Sequence, residues 1–245
     1  MEILNAAGLS YQELNVIIHH LLAEGKKEIY IKNALGQRFV GCGLKGKSRL
    51  VVEGVPGNNL GSYLDGPWIE VKGNGQDGIG NTMNSGTIVV HGNAGDIAGY
   101  AMRGGEIYVK GNVGYRCGIH MKAYREKQPV LVIGGRAGSF LGEYMAGGII
   151  IVLGYDLPDH LCPVGDYVGT GMHGGVIYIR GRLDESRVAK ETVISVLDAG
   201  DWELLSKYVE NFNRLFGLQA DLKGERWSKL LPRSSRPYGA LYNHS

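Results

Sequence analysis

Three stretches of the chain have the spacing Gly-x-Gly-x-x-Gly, which can gather backbone amides around a phosphate: Gly41/Gly43/Gly46, Gly73/Gly75/Gly78 and Gly169/Gly171/Gly174. A dinucleotide site needs a helix to begin at those glycines so that its N-terminus meets the pyrophosphate. The segments that follow, "KSRLVV", "IGNTMNSGTIVV" and "VIYIR", all lead into strands, and no Gly-Lys-Ser/Thr phosphate loop is expected either, so nucleotide binding is not expected. Histidines and cysteines pair loosely: His120 follows Cys117 and His160 precedes Cys162, while Cys42 stands apart and no Cys-x-x-Cys is present. Such spacings fall short of a zinc or iron–sulfur ligand set and fit solvated turn residues better. His19 and His20 belong to the polar edge of a helix. Among carboxylates, Glu53 and Glu70 occupy different phases of their strands, and Asp65, Asp77 and Asp96 read as turn residues. No glycosidase-type carboxylate pair results. Residue 2 is Glu, so there is no N-terminal cysteine or threonine nucleophile. No residue of the chain is assigned a catalytic, cofactor-binding or metal-binding role.

The glycines therefore have to be explained by geometry. There are 40 in 245 residues, roughly double the usual ~7%, but prolines are few and apolar residues plentiful, which excludes disordered and collagen-like chains. A net charge of +2 and a pI near 8.3 give no basic patch suited to nucleic acid. Three scattered cysteines, no signal peptide and no membrane-length apolar run lead to the expectation of a soluble, reduced, cytoplasmic protein with neither nucleic-acid nor membrane partners.

Aligning each short apolar strand on the glycine that ends it exposes an internal repeat. The strands "RLVVEG", "WIEVKG", "TIVVHG", "EIYVKG", "VLVIGG", "IIIVLG" and "VIYIRG" end at Gly54, Gly73, Gly92, Gly111, Gly135, Gly154 and Gly181, at intervals of 19, 19, 19, 24, 19 and 27. A fainter first copy is "EIYIKN", with Asn33 in the glycine place. The units carry further glycines at Gly57 and Gly61, Gly80, Gly95 and Gly99, Gly114 and Gly118, and Gly138 and Gly142. Three residues after the last glycine comes leucine or methionine: Leu44, Leu64, Met83, Met102, Met121, Met145 and Met172. A residue recurring once per unit stacks on its own copies, so these methionines are read as core rather than as sulfur ligands.

A period of about 19 residues is one rung of a parallel β-helix. Hexapeptide left-handed helices are excluded because that period is not a multiple of six. Alternation places Leu50 and Val52, Ile69 and Val71, Ile88 and Val90, Ile107 and Val109, Leu131 and Ile133, Ile150 and Val152, and Ile177 and Ile179 on the inner face. Outer positions change along the chain, from Glu53, Glu70, Lys72, Glu106 and Lys110 to Val130, Val132, Ile149, Ile151 and Leu153. The apolar part must be covered, by the C-terminal helix or by a partner subunit. Residues 1–27 supply a capping helix, with Ser10 as N-cap, Glu13 completing a capping box and Gly25 as stop. Residues 28–181 form the solenoid. Residues 182–245 hold a second amphipathic helix, "DWELLSKYVENFNRLFG", and a basic, aromatic arm.

The glycine ladder, together with "VIGGRAGSFLGEYMAGGIIIVLG" and "GTGMHGGVIYIRG", resembles the C-terminal GXGXG domain of the glutamate synthase large subunit. Tyr144, Met145, Gly147, Gly148, Leu153, Gly154, Gly171, Met172, Gly174 and Gly175 carry the likeness, with Gly171 where the family tends to have Ala. The same repeat occurs in the C subunit of formylmethanofuran dehydrogenase; the helix followed by "RWSKLLPRS" leans toward glutamate synthase, although that family's His/Thr/Ser-containing helix is not evident. The resemblance implies a right-handed, single-stranded parallel β-helix without catalysis of its own. It also implies partner subunits, a glutaminase and a synthase that binds FMN and iron–sulfur clusters, with this chain as the separate scaffold of a split enzyme. Homo-oligomerisation is left open. The alternatives are the C subunit of a formylmethanofuran dehydrogenase and an autonomous carbohydrate-active β-helix enzyme.

Overall fold

The computed structural model of the chain describes residues 1–155, 157–158, 160–219 and 226–235. It is a parallel β-solenoid with one helix at each end. The elements run β1 (Glu2–Asn5), α1 (Tyr11–Ala23), β2 (Glu28–Leu35), β3 (Arg49–Val55), β4 (Asp65–Val71), β5 (Ser85–Val90), β6 (Glu106–Val109), β7 (Val130–Ile133), β8 (Ala146–Val152), β9 (Gly174–Arg180), β10 (Thr192–Ser195), α2 (Ala199–Phe216) and β11 (Trp227–Pro232). One sheet holds the strands in the order β1 to β9, then β11, then β10. Each turn contributes one strand, so every neighbour from β1 to β9 is parallel.

Register follows the sequence period. Ile29, Leu50, Ile69, Ile88, Ile107, Leu131, Ile150 and Ile177 face one another in successive strands. Two residues on, Ile31, Val52, Val71, Val90, Val109, Ile133, Val152 and Ile179 make a second column. Every one of these side chains is fully buried. Branched aliphatics suit such columns because identical shapes repeat at the strand spacing and each layer interlocks with the next. The opposite side of the interior is filled by Leu44, Leu64, Met83, Met102, Met121, Met145 and Met172, which belong to the same core. Unbranched, flexible methionine accommodates the changing width of the strand columns facing it.

The ends close differently. Helix α1 begins at the Ser10 N-cap, whose side chain takes the Glu13 amide while Glu13 returns to the Ser10 amide. Leu14 and Ile18 on α1 roof the first turn of the core. Strand β1, not apparent in the sequence, precedes the helix and pairs with β2; four residues are too short to show a strand period. At the other end β11 lies antiparallel between β9 and β10, so the extended arm is part of the sheet and brings Leu230 into the core.

Helix α2 covers the apolar outer face. Val89, Tyr108, Val130, Val132, Ile149, Ile151, Leu153 and Tyr178 point away from the solenoid interior and pack against Leu205, Tyr208, Val209, Phe212 and Phe216. Of the two coverings considered from sequence, the chain supplies the first. The helix is fixed at its N-terminus by Asp198 and Asp201 in a capping box and stopped at Gly217 in the left-handed region. Asp201 is buried, accepts a hydrogen bond from the Tyr178 hydroxyl at 2.5 Å and meets Lys229 of β11 at 2.6 Å. Burial raises its carboxyl, but the bonds from Lys229, Tyr178 and the Asp198 backbone outweigh that and hold it below the ordinary range. Phe212 is fully buried in this second core, so Phe212→Ala should cost about 3–5 kcal/mol, read as a lower denaturation midpoint in urea; a shift under a tenth of that would show that α2 adds nothing to the fold.

Candidate functional site

The solenoid corners explain a recurring set of the glycines. Asn74, Asn93 and Asn112 lie one above another, and each side-chain oxygen accepts the backbone N–H of the residue one rung on: Asn93 at 2.8 Å, Asn112 at 2.7 Å and Arg136 at 2.7 Å. A second column repeats this, with Asp77 taking the Asp96 amide at 2.9 Å and Asp96 taking the Tyr115 amide at 2.8 Å. Each oxygen occupies the space in which a Cβ of the overlying glycine would stand. Gly92, Gly111 and Gly135 sit over Asn74, Asn93 and Asn112, and Gly95 and Gly114 sit over Asp77 and Asp96. Gly54, Gly57, Gly73 and Gly138 are instead pressed against the backbone of the preceding rung. Read in sequence alone, Asp77 and Asp96 are simple turn residues; in the fold they tie one rung to the next. The signal that finds the ladder is the recurrence of Gly-Asn at the corner, with Asp five residues into the unit.

A third wall runs from each corner to the methionine column, and its backbone alternates into the left-handed region. Per rung, three residues spaced two apart have positive φ: Asn59, Gly61 and Tyr63; Gly78, Gly80 and Thr82; Ile97, Gly99 and Ala101; Arg116, Gly118 and His120; Phe140, Gly142 and Tyr144; Tyr167, Gly169 and Gly171. At Gly61, Gly80, Gly118 and Gly142 an inward Cβ would meet the tip of an isoleucine in the strand column (Ile88, Ile107, Ile150 and Ile177), whereas at Gly99 it would make only ordinary contact. The amide of the central glycine bonds back to the previous rung, while the first residue of each trio in the middle rungs bonds forward, for example Gly99 to Ile79 and Ile97 to Tyr115, both at 2.8 Å. Flanking side chains point outward and touch along the wall. The His120 and Tyr144 rings stack at 5.4 Å, Phe140 and Tyr167 at 4.9 Å, and Tyr100 meets His120 edge-on at 6.0 Å. Arg116 lies 4.7 Å over the Phe140 ring and donates to the buried Glu143 at 2.8 Å.

The phosphate-type glycine runs belong to these walls. Gly41 and Gly43, and Gly169 and Gly171, are left-handed wall positions; Gly73 and Gly75 are at a corner. The expectation that the chain holds no Gly-Lys-Ser/Thr phosphate loop is corrected by the run Gly41 to Ser48, which has the spacing Gly-x-x-x-x-Gly-Lys-Ser of such a loop. It leads into β3 rather than a helix, and the Gly43 and Gly46 amides are bonded to the Ser62 and Asp65 carbonyls at 2.8 and 3.1 Å. Those amides are not free to converge on a phosphate.

Cys117 is buried, and burial pushes its thiol up to about 12, an inert state for sulfur. His120 belongs to the aromatic stack rather than to a ligand pair. His20 sits on the exposed face of α1, 3.1 Å from Glu24. Among the described residues no group of three or more His, Cys, Asp or Glu could hold a metal ion, and no helix is long and apolar enough to cross a membrane. The later insertion lines a cavity of about 180 Å³ between Leu157, Pro158, Leu161, Pro163 and Arg180.

One charged cluster stands at the edge of α2. Glu70 accepts from Arg49 at 2.8 Å, from His91 at 2.9 Å and from Lys72, and the His91 ring meets Phe216 edge-on at 5.2 Å. Burial raises the Glu70 carboxyl, but its hydrogen bonds from Lys72, Arg49 and His91 more than reverse this and bring it down to about 2.

A parallel solenoid whose glycine corners clamp an Asn/Asp ladder is the class of protein this geometry defines. The chain belongs to the GXGXG motif family, whose model matches residues 27–234. It is 51% identical over 249 aligned positions to an uncharacterized protein of Methanocaldococcus jannaschii, covering 98% of this chain and 95% of that one. Among solved structures it is similar to a chain of the formyltransferase/hydrolase complex of Methylorubrum extorquens, determined with methylofuran. The TM-score is 0.58 at 20% identity, over 87% of each chain. At that identity the likeness establishes the fold.

The corners and the charged cluster each generate a prediction. Gly114 has an ordinary φ, so its requirement is the close approach to Asp96; Gly114→Ala should destabilise by about 1–3 kcal/mol, and adding Asp96→Ala should recover part of that. Equal or additive losses in thermal midpoints would remove the stacking account. Because the folded Glu70 carboxyl lies below its usual value, its contribution is complete above about 4.5 and is lost as pH falls toward about 2. Glu70→Gln should therefore be less stable at neutral pH and lose less further stability across that acid window, as followed by urea midpoints against pH.

Proposed function

We propose that the chain is the non-catalytic scaffold subunit of a split glutamate synthase, holding a glutaminase subunit and an FMN- and iron–sulfur-containing synthase subunit together. Family membership supports this, as does the solved neighbour, which belongs to a multi-subunit complex. The observation that carries the reading is how the chain spends its polar groups. Corner side chains and wall amides bond successive rungs, and the interior is packed with the chain's own aliphatic and methionine side chains. What is left for function is an extended, rigid outer surface. On this reading FMN and the clusters are held by the partners, and the chain sets the distance and angle between two active sites.

A second reading, a component of a formylmethanofuran dehydrogenase type of assembly, is favoured by the structural neighbour, which comes from a formyltransferase/hydrolase complex. Affinity capture from native cells under mild conditions, with partners identified by mass spectrometry, separates the two. A glutaminase with a flavoprotein is the expected result, and omitting the chain from a reconstituted mixture should abolish most glutamine-dependent glutamate formation. Recovery of formyltransferase subunits instead would select the second reading. Glycan hydrolysis by the isolated chain would reject both.

A further inference from the structure

We infer that the open edge of β10 is a homodimer interface, at which two copies of the chain join β10 to β10 antiparallel about a two-fold axis. The inference does not depend on the scaffold reading. Ladder phase fixes which backbone groups face outward. The Arg233 amide donates to the Glu191 carbonyl at 2.8 Å, in the register of the β10–β11 pairs. Glu191, Val193 and Ser195 therefore turn their backbone groups toward β11, and Thr192, Ile194 and Val196 turn theirs away. Strand β10 ends the sheet, and no described residue outside the ladder bonds the backbone of Ile194 or Val196. Side chains show the same open end. Ile177 faces Leu230 and Leu230 faces Ile194, so the inner column runs on to Ile194, which is 42% exposed, with Val196 two residues on at 87%. At the opposite end Ile29 and Ile31 are fully buried beneath α1, and the β1 edge carries Glu2, paired with Lys26 at 3.4 Å. Charge of that kind guards an edge strand against pairing. The residues of β10, Thr192–Ser195, include neither a charge nor a proline.

The edge is complementary to itself, which selects a second copy as the occupant. Pairing centred on Ile194 sets Ile194 against its own equivalent, Val193 against Ser195, Thr192 against Val196 and, four residues to either side, Lys190 against Asp198. Lys190 is exposed and makes no ion pair among the described residues. The Asp198 side chain is also exposed and lies 3.4 Å from Lys229, so it has room for a second cation. Backbone groups match as well. The two Ile194 residues exchange both bonds, and each Val196 amide donates to the facing Thr192 carbonyl. The Thr192 amide, which would be the odd donor, is already taken by the Ala189 carbonyl at 3.0 Å. Because the axis stands perpendicular to the sheet, both Ile194 side chains stay on the inner side, and the core column of one copy continues into that of the other. Such a contact uses the same patch twice and closes at two copies. A short strand buries area at the low end for a specific interface, so association is weak and concentration-dependent.

Sedimentation equilibrium of the intact chain, from low to hundreds of micromolar, should pass from 26.5 kDa toward twice that mass and stop there. Ile194→Lys sets two cations against each other on the axis and should hold the chain at the monomer mass, with the thermal midpoint of dilute wild type. Lys190→Glu changes an exposed turn residue, so folding is spared, and by facing Asp198 with a like charge it should raise the dissociation constant about fivefold or more. Ile194→Cys tests the register. Directly opposed residues of a hydrogen-bonded antiparallel pair have Cα atoms about 5.5 Å apart, within disulfide reach. Mild copper-catalysed air oxidation should link this variant far more completely than wild type, whose Cys42 and Cys162 are partly exposed and whose Cys117 is buried. A wild type that stays monomeric throughout, a dimer indifferent to both Ile194→Lys and Lys190→Glu, or a dimeric Ile194→Cys that does not cross-link would each overturn the inference. So would a chain that dimerises only once residues 236–245 are removed, which would give the edge to the tail, or one that grows beyond two copies, which would mean that unlike ends pair. None of these outcomes touches the scaffold reading, which capture from native cells tests separately.

Discussion

The spacing between rungs governs everything else in the molecule. Parallel strands sit about 4.8 Å apart, and a solenoid must hold that distance around its whole circumference, including the corners where no sheet enforces it. Here the corner is held by side-chain oxygens of one rung accepting amides of the next. The oxygens fit only because the residue above has no Cβ. Gly114 over Asp96 and Gly111 over Asn93 are two instances of one solution, so the glycine content reflects contact between layers more than freedom of φ at these positions. The central wall glycines add the second requirement, a positive φ, and at Gly61, Gly80, Gly118 and Gly142 an inward Cβ direction that an isoleucine tip already occupies.

That constraint is why so much of the fold was legible. The period, the inner columns and the methionine column repeat once per rung, and a repeat of this kind survives noise in any single unit. Helix α2 was readable from its apolar face, and the surface it covers from the loss of charge between Glu70 and Val132 at equivalent outer positions. What escaped reading is what occurs once. Strand β1 has four residues and no period of its own. Strand β10 is equally short, and it is fixed by β11, a pairing between segments more than thirty residues apart whose register local sequence does not encode. The stacked wall escaped for a different reason: Tyr144 and His120 are 24 residues apart because an insertion lies between them, so their contact depends on register across that insertion. The Gly41 to Ser48 run shows the converse, a spacing with a known chemical meaning whose amides the fold uses elsewhere.

The two hydrophobic clusters divide the labour. The inner one is continuous from α1 to β11 and makes each rung depend on its neighbours, as in other repeat structures. The outer one exists only over the later rungs, and it ties α2 to the sheet through Tyr178 and Asp201 at one end and His91 and Phe216 at the other. The early outer face carries ion pairs such as Arg49 with Glu70 instead. The molecule is thus covered on one half of its sheet and open on the other, and the aromatic wall lies away from the helix-covered face.

The longer intervals after Gly111 and Gly154 have their own consequence. Both excursions leave and re-enter the solenoid between strands, and the pairing of β6 with β7 and of β8 with β9 keeps the same columns as if they were absent. Lengthening such a loop adds only slowly to its closure entropy. These sites can therefore gain or lose residues over evolution, or accept a grafted peptide in the laboratory, while the spine that sets the geometry stays as it is.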